Sequence, residues 1–300
     1  MSLIGIMPAH PITFSIAQCK LVDSVPEKKQ LMSPLIPGVP STYIYTTEAE
    51  YYQQYRDSFF ATTTKKGGWD CMRHYEIMAC GCIPYFPGIE QCPPNTMGLL
   101  PKTMILEGNA LYRAYKDKPM DDYAMSQCKY LADRLLAYTK NILTTRKMAE
   151  YILITAGAKD AKRILYLSQD PEPDYLRCVT LQGFKEYMGA ACHDYPKIPH
   201  IYKDAGIDYT SKYGKGFSYT NLVDQSLHDA ALDLTVEQDI FDKKYDLIIY
   251  GSFHRGLPFY GKVMSSYPPE KVVLICGEDD HQCIHSQFTA MGHHVFVREL

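Results

Sequence analysis

Four short apolar runs in the second half of the chain, at residues 164–167, 246–250, 272–276 and 295–297, constrain the fold more than any other feature. Continuous apolar runs of this length suit strands buried on both faces, and the stretches between them leave room for helices, as at residues 174–188. Such alternation predicts an α/β fold with a parallel sheet covered on both sides. The stretch through Tyr195 and His200 reads as a loop.

The first half has a different texture. Residues 12–16 and 42–45 are strand-like, a proline-rich loop lies at 34–40, and a Glu/Tyr-rich helix is expected at 48–55, followed by a strand at 59–63. Beyond Pro93-Pro94 the pattern turns helical, and residues 121–138 and 144–155 carry apolar residues at three and four spacing. Gly157, Lys159, Asp160 and Lys162 reset the chain, so a first domain at 1–157 and a second at 158–300 are expected, with a cleft between them.

Within the first half stands the segment from Lys65 to Tyr85. Gly67 and Gly68 free the backbone, Asp70 can cap a helix, Arg73 and Glu76 fall one turn apart on its surface, and Gly81 stops it before a strand at 82–86. A helix N-terminus favours phosphate, and Lys65, Lys66 and Arg73 add positive charge beside Trp69. Glu76 is placed to accept hydrogen bonds from vicinal ribose hydroxyls. A diphosphate clamp with a ribose acceptor points to a sugar nucleotide; the plainer alternative is a surface ion pair between Arg73 and Glu76.

The order Arg73, Glu76, Gly81, Ile83, Pro84 resembles the donor-binding motif of exostosin-like inverting glycosyltransferases, which have the GT-B architecture of two Rossmann-like domains. The longer string from Tyr51-Tyr52 through 58–64 to Pro101-Lys102 is similar to exostosin-like proteins encoded by large DNA viruses of algae. The resemblance implies that Arg73 contacts the donor diphosphate and Glu76 the nucleotide ribose, that the donor is a UDP-sugar, with xylose the first choice, and that the acceptor is a glycan hydroxyl. It departs from the family in order, because the donor-like motif lies in the first half. The chain is then a permuted enzyme or one portion of a larger modular protein.

Ligands of open parallel sheets bind beyond the carboxyl ends of the strands, and here those ends are polar. They deliver Asp170 and then Asp174, the pair His254-Arg255, and Glu278-Asp279-Asp280-His281. Inverting transfer needs a base for the acceptor hydroxyl, so Glu278 and Asp279 rank first, with Asp170 and His281 behind them, while His254 and Arg255 suit the departing phosphate. Plainer readings are a helix cap at Asp279 or Asp280 and a turn at Asp170.

No Asp-x-Asp occurs, so metal-independent chemistry with no cofactor is expected; against it stand the metal-like spacing of His281 and His285, four apart, and the acidic cluster Glu278-Asp279-Asp280, while Cys80-x-Cys82 with Cys92 lacks a fourth ligand for zinc. The glycines and lysine of residues 213–219 lack P-loop spacing and read as a mobile surface loop. Tyr85, Phe86 and Tyr219 are the aromatic residues to test first for sugar stacking.

With a net charge of -3 the chain offers no field for nucleic acid, and ten cysteines scattered through apolar runs read as reduced thiols. The N-terminal residues lack the basic leader of a signal peptide and no membrane anchor is evident, so a cytoplasmic protein is expected, in the host cytoplasm if viral. Two other readings remain open: a non-catalytic carbohydrate-binding or structural protein, and another nucleotide-sugar enzyme, which would need a Gly-x-Gly-x-x-Gly that Ser168-Gln169-Asp170-Pro171 does not supply.

Overall fold

The computed structural model describes residues 8–279 and 283–300. Within them two sheets form, and every strand pairing in both is parallel. The smaller comprises β2 (Gln30–Met32), β3 (Ser58–Thr62) and β4 (Ile83–Tyr85) in that order. Helix α1 (Glu48–Arg56) leads into β3, α2 (Met72–Ala79) joins β3 to β4, and α3 (Lys102–Tyr115), α4 (Asp122–Ile142) and α5 (Thr145–Thr155) follow.

The larger sheet has the order β1-β9-β8-β7-β5-β6, built from β1 (His10–Pro11), β5 (Ile164–Leu167), β6 (Cys192–Tyr195), β7 (Leu247–Tyr250), β8 (Val272–Cys276) and β9 (His294–Val297). Its helices are α6 (Tyr175–Met188), α7 (Ala230–Asp233), α8 (Val236–Phe241), α9 (Tyr260–Ser266) and α10 (Ser286–Ala290).

Successive strand residues point to opposite faces. Ile164, Tyr166, Leu247, Ile249, Val273 and Ile275 enter one core, whereas Leu165, Leu167, Ile248, Tyr250, Leu274 and Cys276 enter another. Both faces are dry, which is why these strands read as unbroken apolar runs. The first of these cores also takes in Phe60 and Ile83 of the smaller sheet, so it runs beneath both sheets.

The expected α/β class holds, and the sheets divide the chain differently from a cut at 157. Strand β1 pairs with β9, so the chain starts in the larger sheet, crosses to the smaller one and returns through α5, which packs on α6. Residues 42–45 form no strand, because a short helical turn over Pro40–Thr42 ends there.

Strand β6 escapes an apolar pattern because its middle residues enter a buried polar network. Asp194 pairs with Lys185 at 2.7 Å and accepts from Tyr202, and His193 meets Asp233 at 2.8 Å. Among the described residues no helix is long and apolar enough to cross a membrane.

Candidate functional site

The carboxyl ends of β3, β5, β7 and β8 deliver residues to one cleft with two joined cavities. The loop after β3 is held first by His74. Burial lowers its ring to about 4, so it is neutral; Nδ1 accepts from the Thr63 hydroxyl at 2.8 Å and Nε2 donates to the Trp69 carbonyl at 3.0 Å.

Asp70 does not cap α2. It is buried, it accepts from the Phe14 amide and the Tyr75 hydroxyl at 2.7 Å each, and burial pushes its carboxyl up to about 6. Cys71 stands at the helix start without a side-chain cap, which leaves the first turn's dipole facing the cleft.

Gly67 and Gly68 have a different role from the expected phosphate cradle. A Cβ on Gly67 would sit 2.6 Å from Asp279 Oδ2, and one on Gly68 closer still to Glu299 Oε1. Their bareness lets these acids approach the loop, and Glu299 takes the amides of Trp69 and Asp70 at 3.1 and 3.0 Å. The loop N–H groups expected to meet phosphate are therefore occupied by a carboxylate of this same chain.

Arg73 and Glu76 are not a surface pair, since α2 is buried on every face. Arg73 is 8 % exposed, its Nε has no hydrogen-bond partner among the described residues, and the guanidinium meets Cys71 Sγ at 3.9 Å and the face of Tyr43 at 5.7 Å. It lines a cavity of about 600 Å³ that also meets Tyr43, Tyr45, Tyr51, Phe217 and Glu76.

Glu76 accepts from the Tyr51 hydroxyl at 2.8 Å and from Ser218 of the opposite unit. Burial raises its carboxyl, and these donors with Arg73 oppose the rise. The segment around Ser218 is no free surface loop. Ser218 N donates to Glu48 at 2.7 Å, Lys66 Nζ donates to Tyr213 at 3.2 Å, and Phe217 packs on Tyr51 with ring centres 5.6 Å apart.

A second cavity of about 420 Å³ opens where strand order reverses between β5 and β7. Its wall holds Asp174, His254, Arg255, Glu278 and the aromatic pair Tyr175 and Tyr219. Asp174 caps α6 through the Arg177 amide at 3.0 Å, meets His254 Nε2 at 3.6 Å and accepts from Arg255 Nε at 3.0 Å. Burial would raise its carboxyl, but these partners hold it at about 2. Burial would likewise lower His254, which the same pairing lifts to about 9.

Asp279 lines both cavities. Arg298, wholly buried, binds its carboxylate together with the carbonyls of Gly277 at 3.0 Å, Glu278 at 2.9 Å and Asp70 at 2.8 Å.

The cleft thus brings together Arg73, Glu76, Lys66, Gly67 and Gly68 with Asp279 in the first cavity, and His254, Arg255, Glu278 and Asp279 in the second. His254 and Arg255 stand away from Arg73 rather than beside it. Lys65 lies over the Trp69 ring at 5.0 Å, and neither residue lines the cleft. Asp170 holds a local turn, accepting from Glu172 N at 2.8 Å and Arg177 at 3.2 Å, and faces neither cavity. His281 lies outside the described residues.

Of the aromatic candidates only Tyr219 reaches the cleft, since Tyr85 packs on Tyr112 at 4.3 Å and Phe86 on His74 at 4.8 Å. Asp174 was named by sequence only as following Asp170, and Tyr175, Arg298 and Glu299 were not singled out. The strand-end rule applied to β9 would have found the last two.

A pH test isolates Asp174. Its folded value of about 2 lies below the roughly 3.9 of an unfolded aspartate, so its contribution is present above pH ~4 and is lost as pH falls through ~2. Asp174→Asn should cost about 2 kcal/mol in urea unfolding near pH 6 and much less near pH 2. An equal cost at both pH values would remove the electrostatic account.

Comparison of the chain with family models, curated proteins and solved structures returns no match in any of the three.

Proposed function

We propose that the chain is an inverting, metal-independent glycosyltransferase that moves a sugar from a UDP-sugar, xylose first among the choices, to a glycan hydroxyl. The observation that carries the reading is Arg73, a guanidinium nine-tenths buried that makes no ion pair among the described residues and has an unpartnered Nε, lining a cavity of about 600 Å³ at an uncapped helix start. Burying such a charge is costly unless an anion completes it. A diphosphate fits that need, and Tyr43, Tyr45, Tyr51 and Phe217 offer flat faces for a base or sugar.

In this mechanism the donor diphosphate lies against Arg73 and α2. The acceptor enters from the second cavity, over Tyr175 and Tyr219. Asp279, at the junction, takes the acceptor proton as its oxygen bonds to the anomeric carbon from the face opposite the nucleotide. The bond from that carbon to the diphosphate oxygen breaks, and the leaving charge falls on Arg73 and the helix start. Glu76 meets the ribose by adding hydroxyl donors to those of Tyr51 and Ser218.

A thermal-shift series with UDP-, GDP- and TDP-sugars tests the class of ligand. A UDP-sugar at about 100 times its Kd should stabilise the fold by about 2.7 kcal/mol. Turnover should survive EDTA. The reading fails if no sugar nucleotide raises the melting temperature.

A further inference from the structure

Residues 203–222 form an excursion whose two ends meet. Lys203 N donates to the Val223 carbonyl at 2.8 Å and Leu222 N to the Ile201 carbonyl at 2.7 Å, so the chain returns where it left. Between these stems Tyr213, Gly214, Lys215 and Phe217 line the first cavity, and Ser218 crosses to Glu48 and Glu76. The backbone is left-handed at three residues with side chains, Lys215 at φ 56°, Ser218 at 73° and Asn221 at 55°. Such angles are costly outside glycine and persist where surrounding contacts over-determine them.

Both stems are held by one carboxylate. Asp194 Oδ1 accepts from Tyr202 on the outgoing stem at 2.7 Å and from His228 Nδ1, just past the returning stem, at 3.0 Å. Lys185 pairs with the same oxygen at 2.7 Å and also donates to the Leu227 carbonyl at 2.8 Å. The other ring nitrogen of His228 meets Asp233 Oδ2 at 3.1 Å. Two carboxylates facing both nitrogens need two N–H groups, and only the imidazolium has them. Charge balance points the same way, since Lys185 offsets Asp194 and a His228 cation offsets Asp233. His193 needs no charge, because the Tyr245 hydroxyl can donate to its Nδ1 at 3.1 Å while Nε2 donates to Asp233 at 2.8 Å. Lys197 and Arg163 lie over the ring faces of Tyr202 and Tyr245.

We propose that residues 203–222 are a strap closed over the first cavity, and that the His228 imidazolium, clamped between Asp194 and Asp233, is the latch that holds it there. Asp194 foremost, with Asp233, keeps the ring above its ordinary 6.5 against the opposing effect of burial. The latch is therefore complete below pH ~6.5 and is lost as pH rises through the ring's raised value. A neutral ring has a single N–H, so one carboxylate then faces a lone pair. The stem loses a charge-assisted bond, and the strained strap relaxes away from Glu76 and Glu48. That the strap closes on a sugar nucleotide rests on the transferase reading; the latch itself does not.

Hydrogen exchange of the full, ligand-free chain, read by mass spectrometry from about pH 6 to about pH 9.5 and corrected for intrinsic exchange rates, measures the latch directly. Protection across 203–222 should fall about tenfold with rising pH, the equivalent of one charge-assisted hydrogen bond, while that of β7 and β8 stays level. His228→Gln has no charge to lose, so the fall should vanish and protection should stand at the lower level throughout. Asp233→Asn keeps the ring and removes one carboxylate, so its fall should come at lower pH than in wild type. Circular dichroism establishes that each variant is folded. The proposal is overturned if wild-type protection of 203–222 stays level, if His228→Gln keeps the fall, or if Asp233→Asn leaves its position unchanged. UDP-xylose should bind more tightly below the transition than above it, because Lys215 and Phe217 then complete the cavity wall. Equal affinity on both sides overturns the strap's part in the cavity, whereas no binding at any pH overturns the transferase reading and not the latch.

Discussion

Arg73→Ala should bind UDP-sugars at least about 100-fold more weakly than wild type, while its ligand-free stability stays within about 1 kcal/mol of wild type or rises. The two halves of this expectation come from one fact. The guanidinium is 8 % exposed, its Nε has no partner among the described residues, and it meets a thiol at 3.9 Å and an aromatic face at 5.7 Å. Removing a structural ion pair of this depth costs several kcal/mol, because the abandoned partner is left charged and buried. Arg73 makes no such pair among the described residues, and Glu76, whose rise it opposes, keeps the Tyr51 and Ser218 hydroxyls as donors. What the free protein loses is a cation–π contact worth about 1 kcal/mol, and what it regains is the desolvation cost of the charge. The bound state instead loses two charge-assisted hydrogen bonds to phosphate, each worth about 1.5–3 kcal/mol. Calorimetric titration and urea unfolding of the same variant measure the two halves. A variant that unfolds several kcal/mol sooner, or that binds the donor as wild type does, assigns Arg73 to the fold and not to a ligand.

The sequence made the strands of the larger sheet legible where both faces are dry, and it hid β6, where they are not. Cys192, His193, Asp194 and Tyr195 show no apolar pattern, since Asp194 Oδ1 is held by Lys185, Tyr202 and His228 from other parts of the chain. For α2 the spacing placed Arg73 and Glu76 together and said nothing of what covers them. The cover comes from α1 and from Ser218, more than a hundred residues away. Gly67 and Gly68 teach the same lesson: they read as freeing the backbone before a helix, and the groups that need the space are Asp279 and Glu299. Local pattern reports which residues share a face, whereas burial and occupancy are set by distant chain.

Those distant contacts also show how the two cavities are kept in register. Ser218 reaches from the larger unit to Glu76 and Glu48, and Glu299 reaches from the end of β9 to the loop before α2. The walls of the two cavities are thus fixed to each other at two points, so a change at either point alters the distance between them.

The second of these points should prove the more fragile. Arg298→Ala is expected to destabilise the protein by about 3–5 kcal/mol in urea unfolding. The side chain is fully buried, and its nitrogens hold the carbonyls of Asp70, Gly277 and Glu278 and the carboxylates of Asp279 and Glu299. Alanine leaves Glu299 and Asp70 as buried acids without their cation, in a place where burial has already raised Asp70 to about 6. Arg298→Lys keeps the charge but has three donors on a single nitrogen, too few and too close together for carbonyls on two loops, so it should recover only part of the loss. The double change Arg298→Met with Glu299→Gln removes both charges and should be milder than Arg298→Ala alone, because the buried charge that Arg298 balances at position 299 goes with it. If Arg298→Ala costs under about 1 kcal/mol, or if the double change is the worse of the two, the arginine does not hold the walls together, and the spacing of the cleft must be set by Ser218 and the shared core instead.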